Sequence, residues 1–303
     1  MPTAILIAGP TASGKSAAAL ELAERLHGTV INADSMQVYR DLAVLTARPS
    51  AADMSRAPHR LYGTNSAAEA NSVGSWLDHA ARAIAQASDA GRVPILVGGT
   101  GLYFKALTEG LAAIPDMPPD IREHWRERAE AQGSEQLHRE LAARDPAMAA
   151  RLRPTDPQRI VRALEVIDAT GVSLAEWQGA SATPALPPHG VLKLVVAPER
   201  EPLYATIDAR FESMIGQGAL EEVTALLALG LDASLPAMRA HGVRELGAYL
   251  AGASNLEDAV AKAKTETRRY AKQQMTWARR FMTDWAWVPD AAAAVASAEN
   301  SSP

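Results

Sequence analysis

A complete phosphate-binding loop lies close to the start of the chain. Residues 9–16 read Gly-Pro-Thr-Ala-Ser-Gly-Lys-Ser, which matches the pattern G-x-x-x-x-G-K-[ST]. The apolar run 4–8 precedes this loop, and the helix-forming stretch 17–23 follows it. In that context backbone N–H groups and the positive end of a helix surround a di- or triphosphate, while Lys15 adds a point charge and Ser16 a ligand for Mg²⁺. The pattern therefore predicts a pyrophosphate site.

The predicted pyrophosphate site takes in every residue of the loop. Its members are Gly9, Pro10, Thr11, Ala12, Ser13, Gly14, Lys15 and Ser16. The alternative is a chance match in a glycine-containing turn, and the strand-loop-helix context argues against it. The motif does not say which molecule contains the pyrophosphate.

Composition excludes several kinds of site and of protein. The chain has 303 residues, of which 48% are apolar and 21% charged, with a formal net charge of −5. It contains no cysteine, which excludes disulfides, thiolate metal sites and cysteine nucleophiles. Its histidines show no H-x-x-H or H-E-x-x-H spacing, so we predict no zinc site. No apolar segment approaches the ~18–20 residues that span a bilayer. We expect a cytoplasmic monomer without a membrane partner.

Short apolar strands alternate with helices in the first part of the chain. Strands are predicted over 30–33 and 93–97, with an amphipathic helix over 72–90 between them. This alternation is typical of a parallel sheet with both faces covered. Ligands of such sheets bind at the carboxyl ends of the strands. The phosphate loop and the loops that begin at Asp34 and Gly98 are therefore expected to meet at one site.

The middle of the chain changes to a purely helical pattern between two proline-rich junctions. One of its helices is predicted to begin after Asp156 and to end at Gly171. The fold class predicted is α/β: a P-loop NTPase-like parallel sheet with a helical insertion and a long helical C-terminal part. The predicted divisions are a core over 1–115 plus 189–290, an insertion over 116–188, and a disordered tail over 291–303.

The residues alone leave two classes of function open. Phosphate loops are common in small-molecule kinases, but such a kinase also needs a strand that ends in an Mg²⁺-binding aspartate. Here the third strand ends in Gly98-Gly99-Thr100, and only Asp34 could substitute. A lid could draw on Arg122, Arg126 and Arg128. A non-catalytic RNA-binding protein with a nucleotide switch is a further alternative.

A basic helix near the end of the chain suggests an RNA partner. Residues 259–283 contain seven Lys or Arg and one acidic residue, although the whole chain is acidic. Arg268, Lys272 and Arg279 fall near one helical face, which suits a helix lying along phosphates. The alternative is a solvated face without a partner.

Five segments in a fixed order resemble the tRNA dimethylallyltransferase family. They are residues 9–16, 34–40, 98–103, 162–166 and 267–277, and the resemblance spans about residues 3–285. It implies transfer of a dimethylallyl group from dimethylallyl diphosphate to the N6 amine of the adenine 3′ to the anticodon, with release of pyrophosphate. The implied partner is the tRNA anticodon stem-loop, and the implied cofactor is Mg²⁺.

The resemblance also implies roles for individual residues. Asp34 would be the general base, and the alternatives are an outer Mg²⁺ contact or a helix cap. Thr100 would contact the pyrophosphate or the target base, and a helix cap is again the alternative. Arg210 would lie near the pyrophosphate. The implied tRNA contacts are Asp34, Ser35, Met36, Gln37, Thr100, Arg122, Gln158, Arg159, Ile160, Val161 and Arg162.

Overall fold

The computed structural model describes residues 2–180, 183–187 and 189–300. The strands are Ala4–Ala8 (β1), Gly28–Asn32 (β2), His59–Arg60 (β3), Val93–Gly98 (β4), Val191–Val196 (β5) and Ala286–Val288 (β6). The helices of the first part are Lys15–Arg25 (α1), Ala51–Arg56 (α2), Val73–Asp89 (α3) and Gly101–Glu109 (α4).

The remaining helices fall into two groups. The middle group is Pro119–Gln132 (α5), Ser134–Arg144 (α6), Pro146–Ala149 (α7), Pro157–Thr170 (α8) and Leu174–Gly179 (α9). The C-terminal group is Arg200–Gly216 (α10), Ala219–Ala228 (α11), Val243–Leu250 (α12), Leu256–Phe281 (α13) and Ala291–Asn300 (α14), with a 3₁₀ turn over Pro236–Arg239.

The strands form one sheet in the order β3-β2-β4-β1-β5-β6, and every neighbouring pair is parallel. The connection from β1 to β2 runs toward the β3 edge of the sheet, and the connection from β4 to β5 runs toward the β6 edge. Parallel sheets bind ligands where such connections diverge, outside the carboxyl ends of the strands. The loops that follow β1 and β4 border that position. The predicted α/β fold class is confirmed.

Each face of the sheet is covered by helices because successive strand residues point to opposite sides. Ile5 and Ile7 of β1 pack in a core with α1 and α14. Leu6 and Ala8 pack in a second core with α3, α4 and the helices from α10 to α13. All five residues of β1 are buried, which explains why the strand reads as an unbroken apolar run.

The C-terminal helix α14 corrects the prediction of a disordered tail over 291–303. Ala294, Val295 and Ala298 are buried against the sheet, and Asp290 accepts a hydrogen bond from the backbone of Ala293 at 2.8 Å. The alanines are small enough to pack closely against α1, so low complexity here indicates a helix. Residues 301–303 of the predicted tail lie outside the described residues.

The chain divides into two compact units. One contains residues 1–108 and 185–303, and the other contains Glu109–Pro184. The second unit consists of α5–α9 around a core of its own, with Trp125 and Leu164 fully buried. Helix α8 begins at the Asp156 cap and ends at Gly171 in a left-handed conformation, as the sequence predicts.

Candidate functional site

The phosphate loop has the backbone shape that its sequence predicts. Gly14 caps α1 with φ of 86°, and Ala12 also has a positive φ of 64°. Gly9 has no room for a side chain, since a Cβ there would lie 2.7 Å from the carbonyl oxygen of Val196 and 2.9 Å from Ser13 Oγ. The loop therefore wraps tightly around the N-terminus of α1, where partial positive charge favours an anion.

Two side chains within the loop suit an anionic ligand. Lys15 Nζ donates a hydrogen bond to the carbonyl of Pro10 at 2.9 Å. The pKa of Lys15 is lowered to about 8, chiefly by burial, with smaller effects from Asp34, which raises it, and from Arg210, which lowers it. Ser13 Oγ is buried and has no hydrogen-bond partner among the described residues. A buried hydroxyl without a partner is costly, and a phosphate oxygen would supply one.

Arg210 lies close enough to Lys15 to affect its charge. It is half-buried on α10, and burial lowers the pKa of its guanidinium. Across the described ranges Arg210 forms no ion pair, whereas Arg128 and Arg268 each pair with a carboxylate. A half-buried cation without a carboxylate is typical of an anion site.

Asp34 is held rigidly by the backbone around it. Asn32 is fully buried, and its amide bonds to the N–H and the C=O of Asp34, both at 2.9 Å. Asp34 Oδ1 accepts a hydrogen bond from the backbone of Met36 at 2.9 Å. No helix among the described residues begins at this point, so the alternative of a helix cap is excluded. A Cβ on Gly99 would lie 3.3 Å from Oδ2, which places that oxygen beside the loop after β4.

Thr100 connects the loops that follow β2 and β4. Its Oγ1 accepts a hydrogen bond from the backbone of Ser35 at 2.9 Å and donates to Ser35 Oγ at 3.2 Å. Its backbone N–H bonds to the carbonyl of Ala33 at 3.3 Å. The hydroxyl therefore joins two loops, and capping of α4 does not account for its contacts.

A narrow cavity of about 70 Å³ opens beside these groups. Asp34 and Arg210 are among its polar lining residues, and several apolar side chains line it too, among them Leu45, Phe211 and Met214. His241 and Tyr270 also border it, with ring centroids 4.6 Å apart. Burial lowers the pKa of His241 and raises that of Tyr270, so burial favours the neutral form of both rings. A ligand with a charged head and an apolar tail fits such a lining.

Gln274, His241 and Tyr270 are site residues that sequence reasoning missed. Gln274 Oε1 accepts a hydrogen bond from the backbone of Thr11, and Nε2 donates to the carbonyl of Gly99, both at 3.0 Å. Gln274 and Tyr270 lie within the segment 267–277 that was singled out from the sequence, but nothing in their spacing indicated these contacts.

The residues after Asp34 differ in whether they face the cavity. Met36 lines the cavity, as a residue that contacts a ligand would. Gln37 is occupied elsewhere, because its Nε2 donates to the carbonyls of Thr46 and Ala47 at 2.8 and 3.1 Å.

The basic face of α13 is less uniform than its spacing suggests. Arg268 is held by both carboxylate oxygens of Asp208 at 2.6 Å. Lys272 and Arg279 are exposed, form no ion pair within the described part of the chain, and line a cleft of about 530 Å³ together with Arg200. The three cations therefore do not form one free stripe.

Within the second unit, some of the residues with implied tRNA contacts are buried and others are exposed. Ile160 is fully buried in the core of that unit, which corrects its assignment as a contact residue. Val161 is half-buried against the same core. Arg122 is exposed on α5. A shallow pocket on this unit is lined by Gln158, Arg159 and Arg162, together with Arg151.

Few protein groups are available for a metal ion. Over residues 2–180, 183–187 and 189–300, no cluster of three or more His, Asp or Glu side chains is arranged to bind a metal. Ser16 lies partly exposed as the second residue of α1. One hydroxyl suits Mg²⁺ when phosphate oxygens and waters complete the shell. No helix in the described ranges is long and apolar enough to cross a membrane.

Comparison with known proteins gives consistent matches. The family model described as IPP transferase matches residues 37–281. A tRNA dimethylallyltransferase of Rhodopseudomonas palustris (strain BisB18) is 56% identical over 96% of this chain and 92% of its own length. A tRNA dimethylallyltransferase of Methylocella silvestris is 55% identical over 94% of each chain.

Solved structures resemble the fold over nearly the whole chain. A tRNA isopentenylpyrophosphate transferase of Bacillus halodurans aligns with a TM-score of 0.68 and 34% identity, covering 96% of this chain and 90% of its own. A eukaryotic dimethylallyltransferase acting on tRNA aligns with a TM-score of 0.81 and 27% identity, covering 95% of this chain and 73% of its own.

Proposed function

The chain belongs to the IPP transferase family, and from that premise we propose that it transfers a dimethylallyl group from dimethylallyl diphosphate to tRNA. The acceptor is the N6 amine of the adenine 3′ to the anticodon, and pyrophosphate is released. The observation that supports this best is the phosphate loop with unpaired cations beside an apolar cavity and a fixed carboxylate.

The loop stabilises the leaving group. As the bond between the allylic carbon and the diphosphate oxygen breaks, negative charge grows on the pyrophosphate. Lys15, Arg210, Ser13 Oγ and the amides at the start of α1 are placed to bind that charge. Groups that bind growing charge lower the barrier without any hydrolysis of ATP.

Asp34 takes the proton of the acceptor amine. The adenine nitrogen attacks the allylic carbon, and the N–H proton passes to Oδ2, since Oδ1 is occupied by the backbone of Met36. The carboxylate must be close to the amine for this transfer, so the adenine has to leave its stack and enter the site. Thr100 positions the segment that holds Asp34 through its bond to Ser35.

The cavity holds the isoprenoid tail. Its apolar residues remove the five-carbon group from water, and the rings of Tyr270 and His241 provide uncharged walls. Neutral rings on these walls avoid repulsion of the positive charge that develops on the allylic carbon.

Ser16 is the residue that would hold Mg²⁺ together with the diphosphate oxygens. When bound, the ion supplies further charge neutralisation for the departing pyrophosphate.

Two groups of residues are proposed to contact the tRNA. The first is Lys272 and Arg279 on α13, with Arg268 partly neutralised by Asp208. The second is on the insertion: Arg122, Gln158, Arg159, Val161 and Arg162. Cations of both groups would bind phosphates of the anticodon stem-loop.

The comparisons give no support to the small-molecule kinase alternative. We also propose that the protein acts in the cytoplasm as a monomer. The absence of cysteine is compatible with a reducing compartment.

One experiment separates the proposed function from its alternative. The protein is mixed with Mg²⁺, dimethylallyl diphosphate and tRNA, and the digested tRNA is analysed by mass spectrometry. One adenosine should gain the mass of a dimethylallyl group. ATP replaces the diphosphate in the control, and phosphate transfer there without prenylation in the first reaction would contradict the proposal.

A further inference from the structure

The side-chain amide of Gln274 joins two loops that come from different strands. Its Oε1 accepts a hydrogen bond from the N–H of Thr11 in the phosphate loop. Its Nε2 donates to the carbonyl of Gly99 in the loop after β4. Both bonds are 3.0 Å long. A flipped amide would place donor against donor and acceptor against acceptor, so the two partners fix one orientation.

The absence of side chains on the facing loop leaves room for this contact. A Cβ on Gly99 would lie 2.2 Å from Gln274 Nε2. Farther along the same helix, the Trp277 ring occupies the space where Gly101 would have a Cβ, also at 2.2 Å. Helix α13 therefore packs directly against the backbone of the loop after β4.

The two bridged loops have different tasks in the proposed reaction. The phosphate loop binds the leaving pyrophosphate. The loop after β4 contains Thr100, which holds Ser35 next to Asp34. A contact between these loops consequently sets the distance between the leaving group and the base.

We propose that Gln274 is a positioning residue that aligns the pyrophosphate loop with the Asp34 side of the site. In this role it acts through the backbones of Thr11 and Gly99, and its side chain also hydrogen-bonds Tyr270. This inference rests on the proposed function. Its physical basis is that catalysis needs the reacting atoms in near-attack geometry, and a small misplacement costs much more in rate than in binding.

The first test is Gln274→Met, which keeps the length of the side chain but removes the amide and all of its hydrogen bonds. We expect kcat to fall by roughly 10- to 100-fold, because alignment is lost. The KM for dimethylallyl diphosphate and the Kd for tRNA should stay within about threefold of the wild-type values, since the binding groups remain. This division between kcat and KM is what a merely structural role would not produce.

The second test is Gln274→Glu, which keeps an acceptor for Thr11 but loses the donor for Gly99. A protonated carboxyl can donate to that carbonyl and an ionised one cannot. The ratio of variant to wild-type kcat should therefore rise as the pH falls through the pKa of the new carboxyl. Other titratable groups near this position are Asp34, Tyr270 and Lys15, and measuring the ratio to wild type at each pH cancels their own effects.

Gln217→Met is the matched control. Its amide bonds only to Ser213 Oγ at 2.8 Å, is exposed and lies at the end of α10. This variant should keep wild-type kinetics. Melting curves of every variant show whether lost activity reflects unfolded protein, and if Gln274→Met does not fold, the pH ratio of Gln274→Glu decides.

Two outcomes overturn the inference. One is a Gln274→Met enzyme whose kcat stays within about threefold of wild type. The other is a Gln274→Glu ratio that does not change with pH. Wild-type protein without any prenyl transfer would instead contradict the proposed function, so the two failures are distinguishable.

Discussion

The core unit, residues 1–108 and 185–303, and the insertion, Glu109–Pro184, hold their proposed functional groups in opposite ways. In the core, Asp34 Oδ1 is bound by the backbone of Met36, and Thr100 by the backbone of Ser35. In the insertion, the partners that the described residues offer Arg159 and Arg162 are Asp156 at 3.4 Å and Glu165 at 3.3 Å, both on or next to the same helix. Arg159 is 72% exposed.

The difference reflects what each surface has to do. A reacting group must stay within a fraction of an ångström of its position, and bonds to backbone achieve this. A phosphate-binding arginine needs only charge and reach, and exposed ion pairs contribute only about 0–1 kcal/mol, so such an arginine exchanges partners readily. We therefore expect large effects from single substitutions in the core and small, cumulative effects in the insertion.

The insertion also shows arginines that are structural. Arg128 and Arg144 lie over the ring of Trp125, at 4.9 and 5.6 Å from its centroid. Trp125 Nε1 donates to Asp168 at 2.8 Å, and Arg144 pairs with the same carboxylate. These arginines brace the core of the unit, which separates them from the exposed arginines near the start of α8.

The strongest test of the comparison is Lys15→Ala. We expect prenyl transfer to fall by at least about 10³-fold, since the variant loses a charged donor to the leaving group. Binding of dimethylallyl diphosphate should weaken, while tRNA binding should hardly change. Turnover and both affinities are measured separately. Turnover within a few-fold of wild type would remove the phosphate loop from the mechanism.

Asp34→Asn tests the base in the same unit. The amide keeps the size of the side chain, and its oxygen can still accept from Met36, but it cannot take a proton. A loss of ~10²–10⁴-fold in the chemical step is expected, the usual contribution of a positioned general base. Single-turnover rates at saturating tRNA provide the measurement. An unchanged rate would reduce the role of Asp34 to positioning.

The parts of this site that the sequence predicts are those built from neighbouring residues. The phosphate loop depends on eight consecutive residues, and the buried strands appear as apolar runs because both faces are covered. The caps of α8 are likewise local, since Asp156 and Gly171 act on their own helix. Such features need no knowledge of tertiary contacts.

The remaining features depend on contacts between distant residues. The bond from Thr11 to Gln274 joins positions 263 apart in the chain, and the pair of Arg268 with Asp208 joins positions 60 apart. Helical spacing placed Arg268 on a cationic face but could not show that a carboxylate from α10 neutralises it. The resemblance implied a tRNA contact for Ile160 together with its neighbours, but Ile160 is buried in the core of the insertion.

The charge of Lys15 gives a pH-dependent prediction for the core. Burial lowers its pKa to about 8, so the cation is present below that pH and lost above it. We expect kcat/KM for dimethylallyl diphosphate to fall by about tenfold per pH unit above pH 8, because this constant reports the free enzyme.

Arg210→Gln removes a neighbouring cation that lowers the pKa of Lys15. The fall of kcat/KM at alkaline pH should therefore begin at a higher pH in this variant. The control is Arg200→Gln, because the Arg200 guanidinium lies over the ring of Tyr204, 5.2 Å from its centroid, and lines the separate cleft on α13. If kcat/KM of the Arg210 variant falls at the same pH as that of the wild type, a group other than Lys15 causes the fall.

The smallest effects are expected from the exposed cations, and they compare the two units directly. Two double variants are made, Lys272→Ala with Arg279→Ala in the core unit and Arg159→Ala with Arg162→Ala in the insertion. Each lost phosphate contact lowers the log–log salt slope of tRNA binding by roughly 0.7–0.9, so either double variant should lower it by roughly 1.4–1.8. Arg268→Ala alone should change the slope least, since Asp208 already neutralises that charge. Binding of dimethylallyl diphosphate serves as the control and should not change. If only one double variant alters the slope, the tRNA lies on that unit alone, and the cations of the other form a solvated face.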